Sequence, residues 1–246
     1  MENIGIKNPW IVIPTYNERP NIRRMLPALT SLKIPNLSIL IVDDNSPDGT
    51  DREVQQHAAN NTAIQLLSRP RKSGLGRAYI AGMAYALEHG ADAIVQLDAD
   101  FSHNPYDIPM LLHGLNRADL VLGSRYSQGI SVINWPLKRL MISMAANVYV
   151  RTITGLPLHD ATGGFRAWRA ETLRRIDLPS IAADGYGFQI ITAYRTWKQG
   201  LHIDEVPIVF TERRAGQSKM SKHIIWEAML LVWKLRLFGW RHTKTS

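Results

Sequence analysis

The chain has no cysteine among its 246 residues, which excludes disulfides and thiolate metal sites and suits a reducing compartment. It has no run of the roughly 20 apolar residues that a membrane-crossing helix needs. Residues 140–150 are uncharged, but this stretch of 11 stops at Arg151 and is too short to span. No basic-then-apolar leader precedes the first strand, so a cytoplasmic protein is expected. Internal repeats and low-complexity linkers are absent as well. A complete Gly-x-Gly-x-x-Gly after the first strand is also missing. The nearest approach, Gly74-Leu75-Gly76-Arg77-Ala78-Tyr79, lacks the third glycine and follows a later strand. That argues against a dinucleotide-dependent oxidoreductase.

What is present is an apolar fraction of 45%, enough for one large α/β domain or a domain with a C-terminal extension. The net charge of +8 is unevenly placed. Residues 1–124 hold 11 Lys and Arg against 13 Asp and Glu, whereas residues 125–246 hold 18 against 8. A basic half can face nucleic acid, an anionic membrane or a phosphorylated ligand. Short apolar runs at 10–14, 38–43, 63–67, 93–97 and 120–122 alternate with amphipathic stretches at 21–32, 50–59, 76–88 and 105–115. This alternation predicts right-handed crossovers and a mainly parallel sheet flanked by helices.

Ligands bind such sheets at the carboxyl ends of the strands. The run 93–97 is followed there by Asp98-Ala99-Asp100. Two hard oxygen ligands one residue apart suit Mg²⁺ or Mn²⁺ holding a diphosphate. The run 10–14 leads into Pro14-Thr15-Tyr16-Asn17-Glu18, an aromatic face and an acceptor for a nucleobase. The run 38–43 ends in Asp43-Asp44, carboxylates able to accept from base N–H groups or ribose hydroxyls. Residues 46–50 after it read as a turn and a helix cap, which leaves Asp43 and Asp44 unexplained by the turn. Three strand ends with acidic or aromatic cargo describe a nucleotide-sugar site.

Beyond Arg125 the pattern changes. Pro136 suits the first position of a helix, with Asn134 as a cap upstream; this helix belongs to the core or lies in a membrane interface. Residues 211–221 lack apolar periodicity and read as an exposed loop. Residues 222–240 read as helical, with His223, Glu227, Lys234 and Arg241 on one face. Trp226, Trp233 and Trp240 recur every seven residues and form one stripe, as an interfacial anchor would.

Six motifs follow in order: Pro-Thr-Tyr-Asn-Glu (14–18), Val-Asp-Asp-Asn-Ser-Pro-Asp-Gly-Thr (42–50), Leu-Asp-Ala-Asp (97–100), Gly-Ser-Arg-Tyr (123–126), Asp-Ala-Thr-Gly-Gly-Phe-Arg (160–166) and Gly-Gln-Ser-Lys (216–219). With them the chain resembles an inverting GT-A glycosyltransferase of family 2. More closely it resembles the polyprenol (dolichol) phosphate mannosyltransferases, which move mannose from GDP-mannose to a lipid phosphate. The similarity runs from about residue 10 to 221. The first three motifs are shared across family 2, and the last three are more particular to lipid-phosphate acceptors.

Position by position, the resemblance implies that Pro14, Tyr16, Glu18, Val42 and Asp44 hold the nucleoside. Asp98, Ala99 and Asp100 would hold the diphosphate, with Asp98 and Asp100 at a Mg²⁺ or Mn²⁺ ion. Arg125, Arg213 and Lys219 match donor- or phosphate-binding cations, and the 213–219 loop reads as a lid. Arg139 and Ser143 match positions that receive the acceptor phosphate. Asp100 and Arg125 would take catalytic parts, together with Asp160 as a base or as a group orienting the acceptor. Many relatives of the group carry Gln two residues after the Asp-x-Asp pair, where this chain has Ser102.

The residue types agree with that chemistry. A divalent ion with Arg and Lys neutralises the charge that grows on a leaving diphosphate. A phosphate acceptor is already anionic and needs steering more than deprotonation. The implied layout is a catalytic domain over 1–221, its lipid-facing part from about 125, followed by an amphipathic helix and tail over 222–246. A peripheral enzyme on the cytoplasmic face of a membrane is expected, reached through its own helices or a separate membrane-anchoring subunit. The rivals are a UDP-dependent glucosyl- or aminosugar transferase acting on polyprenyl phosphate, and a polysaccharide-building transferase. A nucleic-acid-binding module would leave the acidic strand ends without a purpose.

Overall fold

A computed structural model describes residues 5–183, 185–212 and 222–239. Arg213, Lys219, Trp240 and Arg241 lie outside the described residues, as do the side chains of His223, Trp226 and Glu227. The chain runs β1 (Pro9–Thr15), α1 (Arg19–Thr30), β2 (Ser38–Asp43), α2 (Thr50–Ala58), β3 (Ile64–Ser68), α3 (Leu75–Glu88), β4 (Ala93–Gln96) and α4 (Ile108–Gly114). It continues with β5 (Leu120–Ser124), β6 (Val132–Ile133), α5 (Leu137–Thr154), β7 (Arg166–Arg169), α6 (Ala170–Arg175), α7 (Gly185–Lys198), β8 (Ile203–Pro207), β9 (Phe210–Thr211) and α8 (Lys222–Phe238).

Seven strands form one sheet in the order β3-β2-β1-β4-β7-β5-β8, and β6 pairs with β9 in a separate two-stranded ribbon. The pairs β1–β2, β1–β4, β2–β3 and β5–β8 are parallel, as the alternation of strand and helix requires. β7 runs antiparallel between β4 and β5. The central strands are apolar on both faces because both faces are covered. Trp10, Val12, Leu40 and Val42 pack toward α3 and α7, while Ile11, Ile13, Ile41 and Val121 pack toward α1 and α4. Gly82 sets the approach of α3, since a Cβ there would lie 2.5 Å from Val12 and 2.7 Å from Val42.

The first half matches the apolar pattern closely, with one local correction there and three beyond residue 125. The stretch 105–115 divides into a short 3-10 turn, Pro105–Asp107, and α4, with the Asn104 side chain accepting from the Tyr106 N–H. α5 starts at Leu137, so Pro136 precedes the helix instead of opening it. Asn134 caps nothing there; it turns the chain at φ +62°. β7 has no apolar run to betray it, because its sequence is Arg-Ala-Trp-Arg and Arg166 is fully buried.

α8 packs on α5 and α7 through buried Val232 and Leu235. The hydroxyls of Tyr149 and Tyr194 donate to the Met229 and Leu235 carbonyls. Trp233 faces away from that seam at 47% exposure, beside exposed Leu230, Leu237 and Phe238. Leu137, Met141 and Val148 are likewise exposed on α5. Among the described residues, no helix is long and apolar enough to cross a membrane.

Candidate active site

The register of β1 with β2 and β4 brings three strand ends side by side at one edge: Pro14 faces Val42, and Val12 faces Gln96. Each chain then turns through a left-handed residue, Asn17 at φ +60°, Asn45 at +58° and Phe101 at +59°. Asparagine tolerates that region, but phenylalanine is strained in it by about 1–3 kcal/mol. The strain at Phe101 sits between Asp100 and Ser102, whose N–H donates to Asp100 Oδ1 at 3.0 Å.

Tyr16 is half-buried with the Lys72 ammonium 4.1 Å from its ring centre. Glu18 precedes α1 and accepts from the Asn21 side chain at 2.7 Å. The side chain of Val42 is fully buried in the core, which leaves only its main chain at the edge. Asp44 is buried against Arg69, with Oδ1 to Nη1 at 2.8 Å, and also takes the Ser73 N–H at 3.3 Å. Burial raises its pKa, with Ser73 and Arg69 opposing. Asp43, by contrast, is consumed by the turn. Its carboxylate accepts from Thr15 Oγ1, Ser46 N and Ser46 Oγ at 2.9, 2.9 and 2.6 Å.

Asp98 and Asp100 are half-buried at the end of β4, around buried Ala99. The Tyr79 hydroxyl donates to Asp98 Oδ1 at 2.7 Å. Among the described residues no three His, Cys, Asp or Glu side chains gather closely enough to hold a metal by themselves. Two adjacent carboxylates without a third ligand fit a Mg²⁺ or Mn²⁺ ion whose remaining oxygens come from a diphosphate and water. Ser102, two residues after the Asp98-Ala99-Asp100 run, is buried.

The 160–164 loop joins this edge to a second cluster. A Cβ on Gly164 would lie 3.5 Å from Asp98 Oδ2, and one on Gly163 would lie 3.4 Å from the Asp160 carboxylate. Asp160 is 0% exposed and grips Arg125 through Nε at 2.6 Å, Nη2 at 2.5 Å and the backbone N–H at 3.0 Å. Burial alone would raise its pKa, yet the Arg125 charge and hydrogen bonds outweigh burial and hold it low. Both oxygens are thus occupied, which suits orientation of Arg125 and does not suit proton acceptance. The guanidinium also donates to Thr162 Oγ1 at 2.9 Å and lies within 5.6 Å of the Tyr126, Trp135 and Phe210 ring centres.

Arg139, near the start of α5, stacks 4.3 Å from the Trp135 ring and pairs with Glu212. Ser143, one turn on, accepts from the Tyr126 hydroxyl at 2.8 Å. Arg125, Arg139, Ser143 and Thr162 stand among the lining of a cavity of about 350 Å³, whose other walls are apolar side chains of α5, α7 and α8 such as Ile142, Ala146, Ile190 and Val232.

The structure therefore gathers Pro14, Tyr16, Glu18, Asp44, Asp98 and Asp100 at one edge, and Arg125, Arg139 and Ser143 around one cavity, with Asp160 behind Arg125. Sequence reasoning missed Tyr79, Thr162, Trp135 and buried His103. Tyr79 stood in a glycine-containing segment weighed only against dinucleotide binding. Burial holds His103 near a pKa of about 4, wedged against Phe165 and Phe210.

Comparison with known proteins agrees with this geometry. Residues 10–177 match the model of glycosyl transferase family 2. The chain is 48% identical over 221 residues to undecaprenyl-phosphate mannosyltransferase of Micrococcus luteus, covering 90% of each protein. It is 44% identical over 230 residues to polyprenol monophosphomannose synthase of Mycolicibacterium smegmatis, covering 92% of this chain and 86% of that one. Among solved structures, glucosyl-3-phosphoglycerate synthase of Mycobacterium tuberculosis superposes with a TM-score of 0.67 at 19% identity, over 94% of this chain and 80% of that one. At that identity the likeness concerns the fold, a GT-A sheet flanked by helices. The chain belongs to glycosyl transferase family 2.

Proposed function

We propose that this glycosyltransferase moves mannose from GDP-mannose to a polyprenyl phosphate, with inversion, to give polyprenyl phosphate β-mannose and GDP. The observation that carries the reading is the two-natured cavity. Its polar end holds two arginines and two hydroxyls, its walls are apolar, and the 160–164 loop links it to Asp98. A water-soluble hydroxyl acceptor would not call for apolar walls on three helices. A lipid-borne phosphate calls for both. The names of the two relatives, each a mannose transferase to a polyprenyl acceptor, support the same choice.

In this reading the nucleoside lies against Tyr16 and Asp44, and Asp98 and Asp100 hold the divalent ion of the diphosphate. The ion, when bound, supplies neutralising charge to the departing GDP. Arg139 and Ser143 receive the acceptor phosphate, and Arg125, held rigid by Asp160, faces the charge between the two substrates. A phosphate oxygen attacks the anomeric carbon as its bond to the GDP oxygen breaks. No proton must be removed, so a buried, ion-paired Asp160 is no obstacle. Arg213 and Lys219 would add positive charge over the diphosphate. The exposed apolar side chains of α5 and α8, Trp233 among them, would rest on the membrane surface that carries the lipid.

The test offers GDP-mannose, UDP-glucose and UDP-N-acetylglucosamine, each radiolabelled, with a polyprenyl phosphate and Mg²⁺ or Mn²⁺. Label should enter the organic phase from GDP-mannose alone. Transfer from a UDP-sugar instead would overturn the choice of donor, and no transfer to the lipid from any donor would overturn the acceptor.

A further inference from the structure

Behind Asp98 lies a layer of buried polar groups that the reaction, as read above, leaves without a task. Tyr79 on α3 is fully buried, and its ring lies nearly parallel to Phe188 of α7, the centroids 6.1 Å apart and the planes within 6°. Its hydroxyl points at the sheet edge and donates to Asp98 Oδ1 at 2.7 Å. A phenol carries its proton at neutral pH and so serves here as the donor.

The same layer is braced from the next strand. Arg166, opposite Gln96 in the β4–β7 register, is fully buried. It donates to the carbonyls of Ala161, Gly163 and Gln189 at 2.9, 2.8 and 2.8 Å. That fixes the loop in which Gly164 comes close to Asp98 Oδ2. One oxygen of Asp98 is thus held by a phenol on a stacked ring, and the other is flanked by a braced glycine.

We propose that Tyr79 is a positioning residue for the divalent ion: its hydroxyl fixes the Asp98 carboxylate in one orientation before ion and diphosphate arrive. The inference rests on the reading of Asp98 as an ion ligand. A carboxylate free to turn presents its oxygens in many directions, and ordering it on binding costs affinity. Hydrogen bonds of this kind behind a metal ligand are typically worth about 10–100-fold in metal affinity.

Tyr79→Phe removes the hydroxyl and keeps the ring and its stack. Mn²⁺ is titrated into the full chain with GDP, and separately with UDP, and free Mn²⁺ is followed by electron paramagnetic resonance. The variant should bind Mn²⁺ about tenfold more weakly than the parent, while its metal-free melting temperature stays close to the parent value. Equal Mn²⁺ affinity in parent and variant would overturn the role of Tyr79 and leave the ion site standing. A parent chain that takes up no Mn²⁺ with either nucleotide would overturn the ion site and this inference with it. Should Tyr79→Phe not fold, Phe188→Leu loosens the stack with the hydroxyl in place and should weaken Mn²⁺ binding in the same direction; unchanged affinity there would count against the proposal.

Discussion

On the side of β1, β2 and β4 the site is made of carboxylates and a tyrosine at strand ends, each followed by a left-handed residue. On the side of α5, α7 and α8 it is made of arginines, each matched to a carboxylate, above apolar walls. In the proposed reading the first side attracts a cation and thereby holds an anionic diphosphate, and the second attracts an anion directly and offers a dry wall for what is attached to it. The charge split along the sequence, 11 basic against 13 acidic residues and then 18 against 8, is this division of labour written in composition.

If the division holds, substitutions on the two sides should fail differently. Asp100→Ala should have the largest effect on turnover, a fall of about 10³-fold or more, or roughly 4 kcal/mol in the barrier. Calorimetry should show that GDP no longer draws Mn²⁺ into the protein, with folding intact because Asp100 is half-exposed. Normal turnover in that variant would erase the distinction between the sides.

Asp160→Ala should act on the other side and chiefly on stability. It leaves Arg125 buried without its counter-charge, a loss of about 3–5 kcal/mol, read as a lower urea midpoint. A variant as stable as the parent would mean that Arg125 finds water or another partner, and that the cavity's polar end is softer than drawn.

These contrasts show why the sequence disclosed one side better than the other. The β1, β2 and β4 strands are short apolar runs ended by chemistry, so their pattern and cargo are both local. β7 carries two arginines, one of them buried with four carbonyl or hydroxyl acceptors around it, and no local rule marks such a segment as a central strand. Asp43 and Asp44 look alike in sequence, yet one is spent on its turn and the other is not. Only the meeting of β1 with β2 tells them apart. Asp160 read as a base or as a group orienting the acceptor, and its ion pair was not legible because its partner Arg125 stands 35 positions away. The cavity was invisible because its walls come from three helices far apart in the chain.

The two arginines of the proposed acceptor side sharpen the comparison further. Arg125 is buried and held at three points by Asp160, whereas Arg139 is partly exposed and paired with a partly exposed Glu212. An exposed pair of that kind is worth about 0–1 kcal/mol, so a phosphate can displace Glu212 from Arg139. Arg139→Ala should leave stability and donor KM nearly unchanged and raise the KM for polyprenyl phosphate about 10–100-fold, the worth of one charged hydrogen bond. Glu212→Gln should move the same KM downward by a few-fold at most. A rise in donor KM instead would assign Arg139 to the donor side.

The smallest effect belongs to the carboxylate that pins the acidic side together. Glu53 on α2 takes Arg23 at 2.8 and 2.9 Å and Arg19 at 3.2 Å, tying α1 to α2 beside the ends of β1 and β2, the edge proposed to hold the nucleoside. The hydrogen bond from Arg23, with help from Arg19 and against the pull of burial, holds its pKa at about 2 from an ordinary 4.5. A carboxylate with a lowered folded pKa contributes its stability in full above its unfolded value and loses it as pH falls through the folded one. Glu53→Gln should therefore lower the melting temperature at neutral pH, and the gap should close between about pH 4.5 and 2. Because both arginines are largely exposed, solvent screening keeps the contribution on the order of 1 kcal/mol, less than the shift alone would convert to. A gap that persists unchanged into strong acid would show that Glu53 acts through packing. The pinning of α1 to α2 would then not be electrostatic, and acid would not loosen the nucleoside edge by this route.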